Sequence, residues 1–213
     1  MLGKFICFCG VDGCGKTTQA ELLVKHLEQL GFNVVHIRGF KPPRYSGELK
    51  DVAKSVNKDF HNLFSSEMRT ISFILDLIHI TANTIIPVMN ENKIIISEKY
   101  FLDTQIYAPL LGTNREHIDI LEKSVLTPDL YIFLDISAEE SISRIRKRAE
   151  LKNIPIAPKE SIEIARNARQ DFKNYYETHK ENCVVFDAER DPQSLHMQIS
   201  EAIKKYLSMR CEK

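Results

Sequence analysis

One segment near the start of the chain combines clustered glycines with a lysine and two hydroxyl side chains. Its sequence is GVDGCGKTT, with the spacing Gly-x-x-x-x-Gly-Lys-Ser/Thr. Glycines can adopt backbone angles that are closed to residues with a Cβ, so several N–H groups can turn inward around a phosphate chain. The lysine adds a positive charge, and the next hydroxyl offers a ligand to Mg²⁺. The segment therefore predicts a phosphate-binding loop for a nucleoside triphosphate.

Each position of this loop has an expected role. Lys16 is expected at the β- and γ-phosphates, and the hydroxyl of Thr17 at the metal. Asp12 is unusual, because a carboxylate beside phosphates is repelled unless a cation or a substrate hydroxyl compensates; we favour a functional role over a loop cap. A helix N-terminus at Cys14 predicts a lowered thiol pKa. The residues expected to contact ATP are Gly10, Val11, Asp12, Gly13, Cys14, Gly15, Lys16, Thr17 and Thr18.

The elements that must position this loop follow a simple alternation. Short β-branched or aromatic runs alternate with longer amphipathic stretches, which is the pattern of repeated β–α units. Strands are predicted at Lys4–Cys9, Asn33–Arg38, Lys93–Ser97, Leu130–Leu134 and Cys183–Phe186. Helices are predicted at Lys16–Leu30, Glu67–Asn90, Ala138–Glu150, Ser161–Glu177 and Pro192–Leu207. We therefore predict an α/β fold, a five-stranded parallel sheet with helices on both faces, of the P-loop NTPase class.

Composition limits the classes of partner. The 213 residues fit one domain, and 29 basic residues balance 29 acidic ones, so nothing indicates binding to nucleic acid or to an anionic membrane. We find no signal peptide and no apolar stretch near the 18 to 20 residues that span a bilayer. The five cysteines are an odd number, which favours a reducing, cytoplasmic location. The expected ligands are small nucleotides, and a homodimer is a possible assembly.

Six segments spread along nearly the whole chain resemble the thymidylate kinase family of nucleoside monophosphate kinases. They are FICFCGVDGCGKTTQ, RGFKPPR, FILD, SEKYFLDTQIYA, TPDLYIFLDISAEESISRIRKR and VVFDA, of which the first and fifth match best. The resemblance implies ATP as phosphoryl donor, Mg²⁺ as cofactor, and an acceptor opposite the phosphate loop over the carboxyl ends of the strands.

The resemblance also implies roles for single residues of the acceptor site. Asp12 would approach the sugar 3′-hydroxyl and the metal, and Arg38 would lie near the acceptor phosphate. Phe73 would stack on the base, and Tyr107 would crowd the sugar 2′ position. Lys99, as the cation after the third strand, would contribute to phosphate binding.

Several positions depart from the family pattern. The family's Asp-Arg-Tyr is Glu98-Lys99-Tyr100 here, which replaces a bidentate guanidinium with a point charge. We expect Glu98 to be catalytic and to share the metal with Thr17. Leu77 stands where the family has an arginine at the thymine edge, and Ala108 replaces a polar residue. We therefore predict that thymidine monophosphate is either a poor acceptor or one of several pyrimidine monophosphates used at comparable efficiency. Arginine at position 77 should then raise the preference for thymine.

A basic run follows the predicted fourth strand. Phosphoryl transfer spreads negative charge over the equatorial oxygens, so a kinase without an arginine in its phosphate loop needs cations from a lid. We expect Arg146 and Arg148 to be these catalytic cations, because Arg144 is positioned for structural pairing with Glu139 or Glu140. The lid is predicted at about 146–160, within a single domain spanning residues 1–213.

Two other functions stay open at this point. Glu98-Lys99 is similar to the Glu-Arg pair of deoxynucleoside kinases, in which the glutamate takes the proton from a 5′-hydroxyl. A non-catalytic nucleotide-binding relative is the other alternative. The cations Arg38, Lys41, Arg44 and Lys99 favour a monophosphate acceptor, since a nucleoside would leave their like charges without an anion.

Overall fold

The sheet consists of five parallel strands, which confirms the predicted fold class. The computed structural model describes residues 3–39, 41–154 and 160–209. The strands are β1 (Lys4–Cys9), β2 (Val34–Arg38), β3 (Ile94–Glu98), β4 (Leu130–Asp135) and β5 (Cys183–Asp187), in the order β2-β3-β1-β4-β5. Because all neighbours pair in parallel, the carboxyl ends of the strands meet at one edge.

Ten helices surround the sheet in the described part of the chain. They are α1 (Lys16–Gln29), α2 (Tyr45–Ser55), α3 (Phe60–Leu63), α4 (Ser66–Ile80), α5 (Ile86–Asn90), α6 (Phe101–Leu110), α7 (Arg115–Glu122), α8 (Ala138–Lys152), α9 (Ile162–Thr178) and α10 (Pro192–Met209). The five predicted helical regions are confirmed, with a π-helical turn at Thr81–Ile85 joining α4 to α5. Four helices, α2, α3, α6 and α7, were not predicted from the sequence.

The segment from α4 to α5 corrects the expectation that no apolar stretch approaches the length that spans a bilayer. Ser66–Asn90 is long and apolar enough to cross a membrane by those two criteria, with a mean hydropathy of 1.6 in its best window. In the fold, 39% of that window is buried. Leu77 and Ile85 lie in the hydrophobic core beside the sheet. A helix that packs one side into a core meets the same criteria, so length and composition do not identify a membrane span here.

Two packing contacts place the loop after β1 at the carboxyl edge of the sheet. Gly10 has φ 134°, and a Cβ there would lie 2.7 Å from the carbonyl oxygen of Leu134 in β4. Gly13 has φ 86°, and its Cβ would lie 2.7 Å from the carbonyl oxygen of Ser141 in α8. Both positions therefore require glycine for space as well as for conformation. The loop is held against β4 and α8 at fixed distance.

Candidate active site

Lys16 lies buried inside the loop, with its ammonium surrounded by oxygen atoms. Its Nζ donates to the carbonyls of Gly10, at 2.5 Å, and Val11, at 3.0 Å. It also lies 3.9 Å from Asp12 Oδ1 and 4.0 Å from Asp103 Oδ1. Burial alone would lower the pKa of Lys16, but the neighbouring sulfur and the two carboxylates outweigh it and raise the pKa. The ammonium is therefore charged at neutral pH.

The Asp12 carboxylate has the compensating cation that its place in the loop requires. Lys99 Nζ lies 2.7 Å from Asp12 Oδ1. The amide of Asp12 donates to the Tyr107 hydroxyl at 2.9 Å, and the Ser141 hydroxyl donates to its carbonyl at 2.6 Å. Lys99 itself has φ 63°, an uncommon conformation for a residue with a side chain, directly after β3. These contacts fix Asp12 and Lys99 as a pair between the two cavities described below.

Thr17 and Glu98 form a second pair beside the loop. The Thr17 hydroxyl donates to Glu98 Oε2. Glu98 Oε1 is buried without a hydrogen-bond partner, 3.4 Å from His36 Nε2. Burial raises the pKa of Glu98, but the neighbouring His36, the hydrogen bond from Thr17 and the charge of Arg38 outweigh it, so the pKa lies below its usual range. Glu98 is thus an ionised carboxylate at neutral pH.

Thr17 and Glu98 fit a magnesium ion that is also bound by water and substrate phosphates. They fit less well a metal ion that is coordinated by protein side chains alone. Within residues 3–39, 41–154 and 160–209, no three His, Cys, Asp or Glu side chains come together as a metal site. Magnesium usually keeps several waters and binds through one or two carboxylates and the substrate phosphates. A hydroxyl and an ionised carboxylate with one unpaired oxygen are donors of that kind.

A cavity of about 600 Å³ covers the loop. Besides the loop it is lined by Arg144 and Arg148 of α8, by Lys99, and by Arg190 after β5. Arg146 is exposed and does not line it, because residues two apart on a helix point about 200° apart. Arg144 forms the predicted pair with Glu140, at 2.7 Å, and still lines the cavity. The choice of Arg146 over Arg144 therefore does not match the geometry.

A second cavity, of about 350 Å³, lies on the other side of Thr17 and Lys99. It is lined by Arg38 and Lys41 after β2, Lys50 of α2, Phe73 of α4 and Glu98. Thr17 and Lys99 line both cavities. The two spaces thus meet over the carboxyl ends of β1 and β3, where ligands of open α/β sheets bind.

Three residues differ from the sequence-based expectations. Leu77 is fully buried in the core and is not among the described residues that line the second cavity. Tyr107 lies beneath the loop and packs on Phe172 rather than lining that cavity. Burial raises the pKa of the Cys14 thiol, so the predicted lowering is wrong. Arg38 lines the second cavity with 58% of its side chain exposed, and it pairs with Glu21 at 2.7 Å.

The predicted lid is only partly described. Its first portion is the end of α8, which stops at Lys152. Residues 155–159 lie outside the described residues. At the far side, Glu160 Oε1 lies 3.9 Å from Arg148 Nη2. This contact joins the helix that carries the cations to the segment leading into α9.

Four residues of the site were missed from sequence: Asp103, Asp76, Lys50 and Arg190. Asp103 and Asp76 are carboxylates in apolar helices, and each is at most 4% exposed. A charged residue inside an apolar helical run was the available signal for both. Lys50 and Arg190 carry no local signal, because their position in a cavity depends on how distant elements pack.

The sheet, the glycine loop and the two adjoining cavities define a P-loop nucleotide-binding protein of the phosphotransferase type. The thymidylate kinase family model matches residues 8–199, and the chain belongs to this family. A "Thymidylate kinase" of Caldanaerobacter subterraneus subsp. tengcongensis is 25% identical over 211 residues, covering 97% of this chain and 98% of the relative. A "Probable thymidylate kinase" of Methanosarcina barkeri is 31% identical over 217 residues, covering 98% and 99%.

Proposed function

We propose that this chain transfers the γ-phosphoryl group of ATP to the phosphate of a nucleoside monophosphate, thymidine monophosphate or a related pyrimidine nucleotide. An oxygen of the acceptor phosphate bonds to the γ-phosphorus, the bond to the β–γ bridging oxygen breaks, and the products are ADP and a nucleoside diphosphate. The observation that carries the proposal is the meeting of two cavities at Thr17 and Lys99.

On the donor side, Lys16 and the loop amides hold the β- and γ-phosphates. Arg144 and Arg148 reach the same cavity from α8, one turn apart, and so would supply the positive charge that the transition state requires. Arg144 replaces Arg146 in this proposal. Its pairing with Glu140 leaves it 35% exposed, so it can turn toward phosphate without leaving a buried partner behind.

On the acceptor side, the proposal rests on cations that line the second cavity. Arg38, Lys41 and Lys99 line a space that also contains the Phe73 ring. That combination suits an aromatic base joined to a phosphate, whereas a nucleoside would bring no anion to these cations. The nucleoside-kinase role of Glu98 and the non-catalytic alternative are therefore not favoured. The acceptor's sugar would lie near Asp12, with Tyr107 supporting that residue from below.

Thr17 and Glu98 are the proposed magnesium ligands. When bound there with the phosphates, the ion supplies charge that offsets the negative charge of the transferred group. The residues themselves do two things. Thr17 holds Glu98 in place through its hydroxyl, and the depressed pKa of Glu98 keeps that carboxylate ionised.

An apolar stripe supports a homodimer as the proposed assembly. Met68, Ile71 and Leu75 of α4, at helical spacing, are 37 to 48% exposed, and Val52 and Val56 at the end of α2 are about half exposed. Exposed apolar patches of this kind commonly mark interfaces. The even charge balance supports small nucleotides as ligands, without nucleic acid or membrane, and a cytoplasmic location stays a prediction.

The donor side is tested with Arg144→Ala and Arg148→Ala, using Arg146→Ala as the matched control on the same helix. We expect each of the first two to lower kcat by about 10²-fold, as for loss of one electrostatic stabiliser, and the control to change it less than about threefold. Circular dichroism checks that all three fold. If Arg146→Ala lowered kcat as much as the other two variants, Arg146 would belong to the active site and the proposed arrangement of Arg144 and Arg148 would be wrong.

The acceptor side is tested with Arg38→Ala and Lys99→Ala. Both residues lie at the second cavity, so the KM for the monophosphate should rise more than the KM for ATP, most clearly for the exposed Arg38. Steady-state kinetics with each substrate varied in turn gives both constants. Equal effects on the two substrates would place these cations outside the acceptor site.

A further inference from the structure

Ser141 is a fully buried serine near the start of α8, the helix that carries Arg144 and Arg148. Its hydroxyl donates to the carbonyl of Asp12 in the phosphate loop, at 2.6 Å. The two residues are 129 positions apart in sequence. This hydrogen bond therefore links the loop directly to the helix that supplies the proposed cations.

Close backbone packing at the same point limits the distance between α8 and the loop. A Cβ on Gly13 would lie 2.7 Å from the carbonyl oxygen of Ser141 and 3.1 Å from Cγ1 of Ile145. The glycine thus lets α8 approach until the Ser141 hydroxyl reaches Asp12. Packing sets how closely the helix approaches, and the directional hydrogen bond sets which of its residues lies against the loop.

The buried apolar side chains of α8 pack apart from the main core. Ile142 and Ile145 form a small cluster with Ala165 of α9, whereas the main core is built from the sheet and other helices. Apolar contacts are non-directional, so this cluster holds α8 to α9 without fixing its register on the loop. The hydrogen bond of Ser141 supplies a directional contact between α8 and the loop.

Ser141 lies on the face of α8 that carries the two arginines. At about 100° per residue, Arg144 lies about 60° and Arg148 about 20° from Ser141 around the helix axis, and Arg146 about 140° away. A shift of α8 that breaks the hydrogen bond would therefore move both guanidinium groups relative to the loop. Misplacing such groups by about 1 Å can cost about 10²-fold in rate.

We propose that Ser141 is a positioning residue, which holds α8 through the Asp12 carbonyl in the register that directs Arg144 and Arg148 into the cavity over the loop. The inference rests on the proposed function, and it deepens the description of the same site. Ser141 contacts the loop backbone and acts on the transferred phosphoryl group through the two arginines.

The test compares Ser141→Ala with Ser143→Ala. Alanine removes the hydroxyl and keeps nearly the same size, and circular dichroism checks that both variants fold. Ser143 is an exposed serine two residues further on α8, so its variant controls for loss of a hydroxyl from the same helix. Steady-state kinetics gives kcat and both KM values, and calorimetry with Mg²⁺ gives dissociation constants for ADP and for a non-hydrolysable ATP analogue.

We expect Ser141→Ala to lower kcat by about tenfold and to leave the KM for the monophosphate within about threefold, because the arginines act on the transferred group. The ATP analogue should bind about three- to tenfold more weakly and ADP within about twofold, because only the analogue brings a γ-phosphate to the arginines. Ser143→Ala should change none of these values. If ADP and the analogue weakened equally, the substitution would be disturbing the loop itself, and the inference would be wrong.

A double-mutant cycle tests whether Ser141 acts through the arginines. In a protein that already carries Arg144→Ala and Arg148→Ala, adding Ser141→Ala should change the dissociation constant of the ATP analogue by less than about twofold. The same loss of affinity with and without the arginines would overturn the inference.

The two proposals fail in different ways. Turnover of monophosphates that Ser141→Ala leaves unchanged would leave the proposed function standing and remove the role of Ser141. Weaker binding of the ATP analogue to Ser141→Ala, without turnover in the unmodified protein, would leave the role of Ser141 standing and remove the phosphotransferase function. Equal binding of the analogue to all variants, with no turnover, would overturn both.

Discussion

Asp103 carries the most quantitative prediction, because a buried carboxylate should make the free energy of unfolding depend on pH. It is 4% exposed, at the first turn of α6. Its Oδ2 accepts from the Tyr100 amide at 3.3 Å, whereas its buried Oδ1 has no hydrogen-bond partner and lies 4.0 Å from Lys16 Nζ. Burial, with the charge of Asp12, raises its pKa to about 6 against the opposing charges of Lys16 and Lys99.

The raised pKa of Asp103 determines how the free energy of unfolding changes with pH. Unfolding lets the carboxyl ionise at its usual pKa of 3.8, whereas the folded protein holds the proton up to about 6. The stability that the protonated group contributes is therefore complete below pH 3.8 and is lost as the pH rises through 6. At 1.36 kcal/mol per unit, the ionised carboxylate costs about 3 kcal/mol above pH 7 and about half of that at pH 5.

Asp103→Asn removes the charge and keeps an oxygen for the Tyr100 amide. We expect this variant to be more stable than the unmodified protein at pH 8, and the gap to shrink by about 1.5 kcal/mol at pH 5. Urea unfolding at the two pH values measures this, with Asp51→Asn, an exposed carboxylate on α2, as the control. A gap that is the same at both pH values would refute the assigned environment of Asp103.

Three other substitutions test separate parts of the structure. Lys16→Ala should reduce transfer by about 10³-fold and leave the circular dichroism spectrum unchanged, and activity within tenfold of the unmodified protein would remove the loop assignment. Asp76→Ala leaves several donors at the start of α2 unpaired, so it should cost about 3 kcal/mol in urea unfolding and raise the acceptor KM more than the ATP KM. Leu77→Arg places a charge in the core, so it should lower the free energy of unfolding by about 4 kcal/mol or more. It should not raise the preference for thymine, contrary to the expectation from the family pattern. A folded, thymine-selective variant would restore that expectation.

The sheet and the phosphate loop could be predicted because their signals are local. β1 is buried on both faces, so it reads as a continuous apolar run that leads directly into the glycines. The glycine spacing is itself a geometric requirement of the loop. By contrast, α6 was missed because most of its residues are buried, which removes the amphipathic periodicity that marks a surface helix.

Side-chain direction was the harder part of the site. Arg146 was preferred to Arg144 on the argument that Arg144 would be occupied by Glu140, and that pair exists. Which residues of α8 face the cavity depends on how α8 packs against Gly13, a contact between residues far apart in sequence. The same holds for Leu77, since spacing along α4 places it near Phe73 without showing that it points into the core.

The central claim, phosphoryl transfer to a nucleoside monophosphate, is tested most directly by coupled ADP release with ATP and Mg²⁺. Nucleoside monophosphates and the matching nucleosides are offered as acceptors at equal concentration. We expect turnover of pyrimidine monophosphates, with dTMP among them, and rates at least about 100-fold lower with nucleosides. Nucleosides that match or exceed their monophosphates, or no turnover of either class, would contradict it.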